Sequence, residues 1–197
     1  MQIFSYMNRF IVSFSFIFIS FSLIAEPTLE EVVVSARKVD ESVQDVPIAM
    51  SVFTASDIND AGIERPEDFI ALTPNVVMAN TVNVGDTLVT IRGLTSTRDA
   101  ESNFAFVVDG VLQTNPNAFN RELLDIAQIE VLKGPQGALY GRNATSGAIL
   151  ITTKAPSDEP ESSAVVGMGI NNSSKLQYVN SSKMGDNVYT RFSVSTR

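Results

Sequence analysis

The stretch IEVLKGPQGALYGRNATSGAILITTK, Ile129 to Lys154, constrains the fold of this 197-residue chain more than any other. Two apolar runs, Gln128–Leu132 and Gly147–Thr153, flank a connection rich in glycine. Each run has strand length, and the second does not alternate, so it predicts a strand buried on both faces. The glycines raise the question of phosphate binding. A P-loop needs Gly, four residues, then Gly-Lys-Ser/Thr, but Gly141 is followed by Arg142 and Asn143. A dinucleotide fingerprint needs Gly-x-Gly-x-x-Gly opening a long helix, but Pro135 follows the first glycine and the next two are separated by Ala138 to Tyr140. Both fail on spacing. The connection reads instead as a structural reversal built on Gly134, Pro135, Gly137, Leu139, Tyr140 and Gly141. The glycines allow sharp turns, Pro135 stiffens the start, and Leu139 and Tyr140 form an apolar anchor.

Composition removes several function classes. Cysteine, histidine and tryptophan are absent, so no disulfide, no Cys/His metal cluster and no histidine-based triad can form. No nucleophile stands beside a base, and an enzyme is not expected. The formal net charge of −8 opposes nucleic-acid binding, which needs a basic stripe. Residues 1–25 read as an export signal. Arg9 precedes the apolar run Phe10–Ile24, which is too short for a comfortable membrane span, and Ala25 is the cleavage residue.

Residues 26–46 carry Val32–Val34 among charged residues without periodicity, which predicts a short extended segment on a flexible tether, outside any core. Compact structure is expected over 47–156. Alternation over Ile48–Phe53 predicts a strand. Thr54 or Ser56 can cap a helix with Asp57 in its first turn, ended by Gly62. Pro66, Glu67 and Asp68 open a second helix carrying Phe69, Ile70 and Leu72. Leu88–Arg92 predicts a strand. Phe104–Val108, Asp109-Gly110 and Val111–Leu112 predict a hairpin, since Asp-Gly supplies the positive φ angles of a two-residue turn. Arg121–Ile126 is a short helix candidate. The sum is an α+β domain with a mixed, short-stranded sheet and short helices.

Over 157–197 the texture changes. Val166, Met168 and Ile170, then Leu176 and Tyr178, then Val188, Phe192 and Val194 alternate with small or polar residues. This is the pattern of a membrane β-barrel wall, and a soluble meander over another core has the same period. Three strands cannot close a barrel, so the expectation is a piece of a longer protein or a truncated gene product.

The segment Ile129–Lys154 resembles the signature of the plug domain of TonB-dependent outer-membrane receptors. LEEVVVSARK (Leu29–Lys38) resembles the family's TonB box, and VTIRGL (Val89–Leu94) and FVVDGV (Phe106–Val111) resemble two further plug motifs, in the family's order. The resemblance implies a plug inside a 22-stranded barrel, in the outer membrane, with strands after Pro160 opening the wall. It implies uptake of a scarce substrate, most often a ferric siderophore, with vitamin B12 or glycans as alternatives, and no cofactor. Energy would come from TonB with ExbB and ExbD, through Glu30, Glu31, Val32, Val33, Val34, Ser35 and Ala36 as a free strand edge. A free plug acting as a periplasmic ligand- or TonB-binding module is the other reading. Arg92 and Lys133 stand where the family places plug cations that meet barrel glutamates. Ala138 and Ser146 depart from the family's usual residues. Outward loops with Thr95, Ser96, Arg98, Asp99, Glu101, Asn103, Asn115, Asn117 and Phe119 would contact substrate.

Overall fold

The computed structural model describes residues 31–80, 87–96, 101–169 and 174–196. The export signal, Glu30, Arg98 and Asp99 lie outside the described residues. Val32 onward forms one compact unit.

At its centre is a five-stranded mixed sheet of β3 (Met50–Thr54), β7 (Phe104–Val108), β8 (Val111–Leu112), β9 (Ile126–Lys133) and β10 (Gly147–Thr153), in the order β3-β9-β10-β7-β8. Strand β10 pairs antiparallel with β9 (Ile149 opposite Val131) and parallel with β7 (Ile149 opposite Phe106). It is central and buried through Ile151, as its unbroken apolar run predicts. The β7–β8 turn has Asp109 at φ 47° and Gly110 at φ 78°, the left-handed pair that Asp-Gly supplies.

The helices cover one face of this sheet. Helix α1 (Ala55–Asp60) starts in a capping box. Asp57 N–H donates to Thr54 Oγ1, and Asp57 Oδ2 accepts from Thr54 N–H at 2.8 Å, which satisfies two donors at the helix start. The Thr54 hydrogen bonds hold the Asp57 carboxyl below the usual range. Helix α2 (Pro66–Ala71) has proline in its first turn, and Asp68 accepts from the N–H groups of Glu64 and Arg65. Phe69 and Ile70 are buried, but Leu72 is 54% exposed. The helix ends at Ala71, so Leu72 falls off the apolar face. A second small sheet, β4 (Val76–Asn80), β5 (Thr87–Ile91) and β6 (Leu94–Thr95), sends Val76, Val89 and Ile91 into the same core.

One expected element is absent. The sequence predicts a helix over Arg121–Ile126. The structure has a 3₁₀ turn at Pro116–Phe119, then an irregular link, and β9 already starts at Ile126. Asn115 caps the 3₁₀ turn, accepting from Asn117 N–H at 3.0 Å. The link's polar groups go elsewhere: Leu123 N–H donates to Glu64 C=O at 2.8 Å, and Asp125 sits at φ 57°. Long-range pairing outcompetes the weak local helix preference.

Strands β11 (Glu161–Met168), β12 (Ser174–Lys183) and β13 (Tyr189–Thr196) form an antiparallel meander. Its two faces differ sharply. Val166, Met168 and Phe192 point away from the rest of the unit at 70%, 91% and 60% exposure, while Val179 and Ser181 on the other face are buried. Ion pairs from that inner face reach the plug-like domain: Lys175 with Glu64 at 2.6 Å, and Arg191 with Asp125. A soluble meander would turn its apolar face inward. This one turns its polar face inward and its apolar face out, as a barrel wall does.

Candidate functional site

The N-terminal segment is not the free tether expected from its composition. Strand β1 (Val33–Val34) pairs antiparallel with β2 (Glu41–Ser42), Val33 opposite Ser42. The hairpin lies on the sheet face opposite α1 and α2. Val34 is 1% exposed. Ala36 is fully buried and belongs to a cluster with Ala105, Val107, Leu132, Ala144, Ala148 and Leu150. Glu31 and Val33 are exposed, and Val32 and Ser35 are half-buried. Period-based reading fails here because the partners lie about a hundred residues away.

Three side chains grip this strap by its main chain. Gln128 Nε2 donates to Val33 C=O at 3.0 Å. Ser35 N–H donates to Glu130 Oε1 at 3.2 Å. Tyr140 Oη–H donates to Ala36 C=O at 2.6 Å. Gln128 and Glu130 are two apart on β9 and therefore share a face. Their spacing matches Val33 and Ser35, also two apart. Burial raises the Glu130 carboxyl's pKa, against the lowering effect of its bonds to Ser35 and Ala36. Its Oε2 is buried without a partner among the described residues. Burial likewise pushes the Tyr140 hydroxyl up to about 12, with the Glu130 charge adding to it. Sequence reading named Tyr140 only as an apolar anchor and missed Gln128 and Glu130. The available signal was two polar residues on one face of an apolar strand.

The glycine-rich reversal is what places Tyr140. Gly134 has φ 113° and Gly141 φ 84°, both in the region that favours glycine. A Cβ on Gly134 would also meet the Arg92 guanidinium at 3.0 Å. Gly134 N–H donates to Ser146 C=O and Gln136 N–H to Ala144 C=O, which ties the ends of the reversal. Between them runs the single-turn helix α3 (Gly137–Tyr140). Pro135 and Gly137 are exposed, and Leu139 and Tyr140 are half-buried.

Arg92 and Lys133 come together at this same corner. Lys133 is buried and directs its Nζ to Ser51 Oγ at 3.0 Å and Pro74 C=O at 3.4 Å. Burial lowers its pKa, and the Arg92 charge lowers it further. Arg92 is exposed, at φ 50°, and no described carboxylate is paired with it. The ion pairs between this domain and the described strands have the opposite polarity. Arg191 makes a two-pronged contact with Asp125, Nη2 to Oδ1 at 2.7 Å, and reaches Glu161 at 3.0 Å. A cavity of about 360 Å³ lies alongside, bordered by Lys154, Lys175 and Gln177.

The expected substrate-contacting residues separate into two groups. Thr95, Glu101, Asn115 and Asn117 are exposed. Glu101 pairs with Arg142 at 2.9 Å. The other described ones, Phe119, Ser96 and Asn103, have partners within the domain. Phe119 is 3% exposed and packs edge-on against Phe69, Phe104 and Phe106. A ring at the end of a polar loop is drawn into the core because burying it outweighs the loop's own preference for water. Ser96 is buried and donates to Asn103 Oδ1 at 2.8 Å, while Asn103 C=O accepts from Ser146 N–H. Ser96 and Asn103 thereby tie the loop's ends to the start of β10.

The family model described as TonB-dependent Receptor Plug Domain matches residues 42–148. The pesticin receptor of Yersinia enterocolitica is 31% identical over 136 residues, 68% of this chain and 20% of that protein. The vitamin B12 transporter BtuB of Vibrio vulnificus is 27% identical over 171 residues, 84% of this chain and 27% of that protein. Among solved structures, the ferric yersiniabactin uptake receptor FyuA from Yersinia pestis superposes with a TM-score of 0.70 at 27% identity, covering 75% of this chain and 24% of that one. The chain spans about a fifth to a quarter of the length of these proteins.

Proposed function

The chain belongs to the TonB-dependent receptor plug-domain family, and from that premise we propose that it is the N-terminal part of an outer-membrane receptor for energy-coupled uptake. The meander carries this reading. Its polar face packs on the plug, and its apolar face points out at Val166, Met168 and Phe192. A free plug in the periplasm would leave those side chains in water, whereas a barrel wall buries them in lipid. Residues 47–156 are then the plug, and 157–197 the linker and first three wall strands.

A ferric siderophore is the substrate we favour. The similarity to a ferric yersiniabactin uptake receptor supports it, and the similarity to a vitamin B12 transporter supplies the alternative. The exposed Thr95, Glu101, Asn115 and Asn117 are the plug's share of the contact surface. Growth of a deletion strain under iron limitation tests the substrate: unimpaired growth on every ferric siderophore supplied defeats it.

Energy enters through TonB, driven by ExbB and ExbD, by strand addition to Val32–Ala36. Main-chain hydrogen bonds give such contacts their affinity. Val33→Pro removes a main-chain donor from that strand. The variant is expected to lose binding to the purified periplasmic domain of TonB while keeping substrate binding. Retained TonB binding would remove this segment from the mechanism.

A further inference from the structure

A slip of one residue turns the whole inner face of a strand outward, and a buried pattern on one face is what normally prevents it. The inner face of β11–β13 has little such pattern. It carries Ser163, Gln177, Ser193 and Ser195, and among the described residues of these strands only Val179 and Ser181 are buried. One row across the meander is fixed by other means. Glu161 stands opposite Ser181, and Ser181 opposite Arg191, so each strand gives one residue to the row. The row is seated where the chain leaves the central sheet. Arg191 forks onto Asp125, both side chains being 8% exposed, and its Nη1 reaches Glu161 at 3.0 Å. Ser181 Oγ accepts from Ser157 N–H at 2.9 Å, on the link that follows β10. Asp125 is itself held. Its C=O accepts from Lys154 N–H at 2.9 Å, and its φ of 57° is left-handed backbone, which aspartate tolerates better than most residues. A second point lies farther along β12, about 20 Å from Ser181 by strand rise, where Lys175 pairs with Glu64 at 2.6 Å. The cavity of about 360 Å³ is lined by groups of both ion pairs. Two such points fix a strand's rotation and its position along its own axis.

We propose that Asp125 is the register key of the wall: by seating Arg191, and with it the Glu161–Ser181–Arg191 row, its carboxylate fixes the register of β11–β13 and the face they turn inward while the chain is still in water. The inference rests on the wall reading for what the outer face later meets, whereas the seating itself does not. A buried ion pair adds little net stability, but removing one partner leaves the other charge buried alone, so the pair selects one arrangement over its neighbours. A slip of one residue carries Arg191 to the outer face and leaves Asp125 without its fork. The apolar outer face cannot make this choice in water, because Val166, Met168 and Phe192 touch nothing there that distinguishes one register from the next.

The chain has no cysteine, so an introduced thiol is the sole target for a maleimide. Val179→Cys reports the inner face of the meander, and Val131→Cys, fully buried under the helices, reports the core. Val165→Cys with Gln177→Cys, directly opposite each other on β11 and β12, reports register by the yield of their disulfide on oxidation. In the full chain in aqueous buffer, Asp125→Asn keeps the size and removes the charge. It is expected to speed labelling at position 179 by roughly ten- to a hundredfold, the worth of a hydrogen bond to a charged group in an opening equilibrium. It is also expected to lower the disulfide yield and to leave position 131 unchanged. Arg191→Gln is expected to do the same, and the two changes together to do no more than either alone. Unchanged labelling at position 179 overturns the key, and so does an equal rise at positions 179 and 131, which would mean general loosening. Faster labelling at 179 with an undiminished disulfide would make Asp125 an anchor without influence on register, and strictly additive effects would mean that the two residues act apart; either result overturns the key as well. Detergent micelles separate this inference from the wall reading. Val166→Cys is expected to be shielded by them, and labelling there that micelles do not change defeats the wall reading while leaving the key standing.

Discussion

The two faces of the central sheet are built differently. The helix side packs Phe53, Phe69, Phe104, Phe106 and Phe119 in tilted and edge-on pairs with centroids 5.0 to 6.3 Å apart, over Ile129, Val131, Ile149 and Ile151. The strap side has alanines, a few aliphatic side chains and a main-chain grip. Aromatic burial is worth far more per residue than a single hydrogen bond. One face is therefore a thick aromatic core and the other a thinner cover.

The largest expected effect tests the fixed face. Phe69→Ala empties a fully buried site on α2 and is expected to cost about 3–5 kcal/mol in denaturant unfolding. A loss below about 1 kcal/mol would mean that the helix side is no firmer than the strap side. On that second face, Val34→Ala is expected to cost about 1 kcal/mol or less, although Val34 is just as buried. The loss cannot exceed the free energy of docking the strap, because the chain escapes by undocking. A Val34→Ala loss equal to that of Phe69→Ala would erase the contrast.

The smallest effect concerns pH. Burial raises the Glu130 carboxyl, the Ser35 and Ala36 hydrogen bonds oppose that, and Asp40 on the strap raises it again, with Tyr140 facing it from the reversal. A folded value above the unfolded one means that the folded chain holds this proton more tightly. The contribution to stability is then full at low pH and falls as pH rises through the raised folded value. Glu130→Gln is expected to flatten melting temperature against pH upward from the ordinary carboxylate range, without lowering it at the neutral end. An unchanged slope would place the carboxylate in water.

Much of the fixed face could be read from the sequence. The capping box at Thr54–Asp57, the Asp109-Gly110 hairpin and the twice-buried β10 follow from signals a few residues long. The strap could not be read this way. Val33, Ser35 and Ala36 are held by residues 95 to 104 positions later, and no window on Val32–Val34 contains that information. Phe119 and the missing helix over Arg121–Ile126 failed for the same reason, since distant rings and the Glu64 carbonyl decide what that segment does. The glycine stretch was legible as a reversal, but the use of its tyrosine was not. The polar and apolar faces of β11–β13 were legible, but only packing tells which face turns inward.

The strand order has a consequence for how the domain is made. Among the described strands β3 pairs only with β9, and β7 gains its parallel neighbour only when β10 exists. A chain that emerges amino end first must carry β3 unpaired until residue 133 has followed, and β7 with only its short hairpin mate until residue 151. Closing loops of that length is slow, and exposed strand edges invite aggregation meanwhile. Assembly is thus deferred, then sudden: the glycine-rich hairpin between β9 and β10 is the late piece that lets the waiting strands zip.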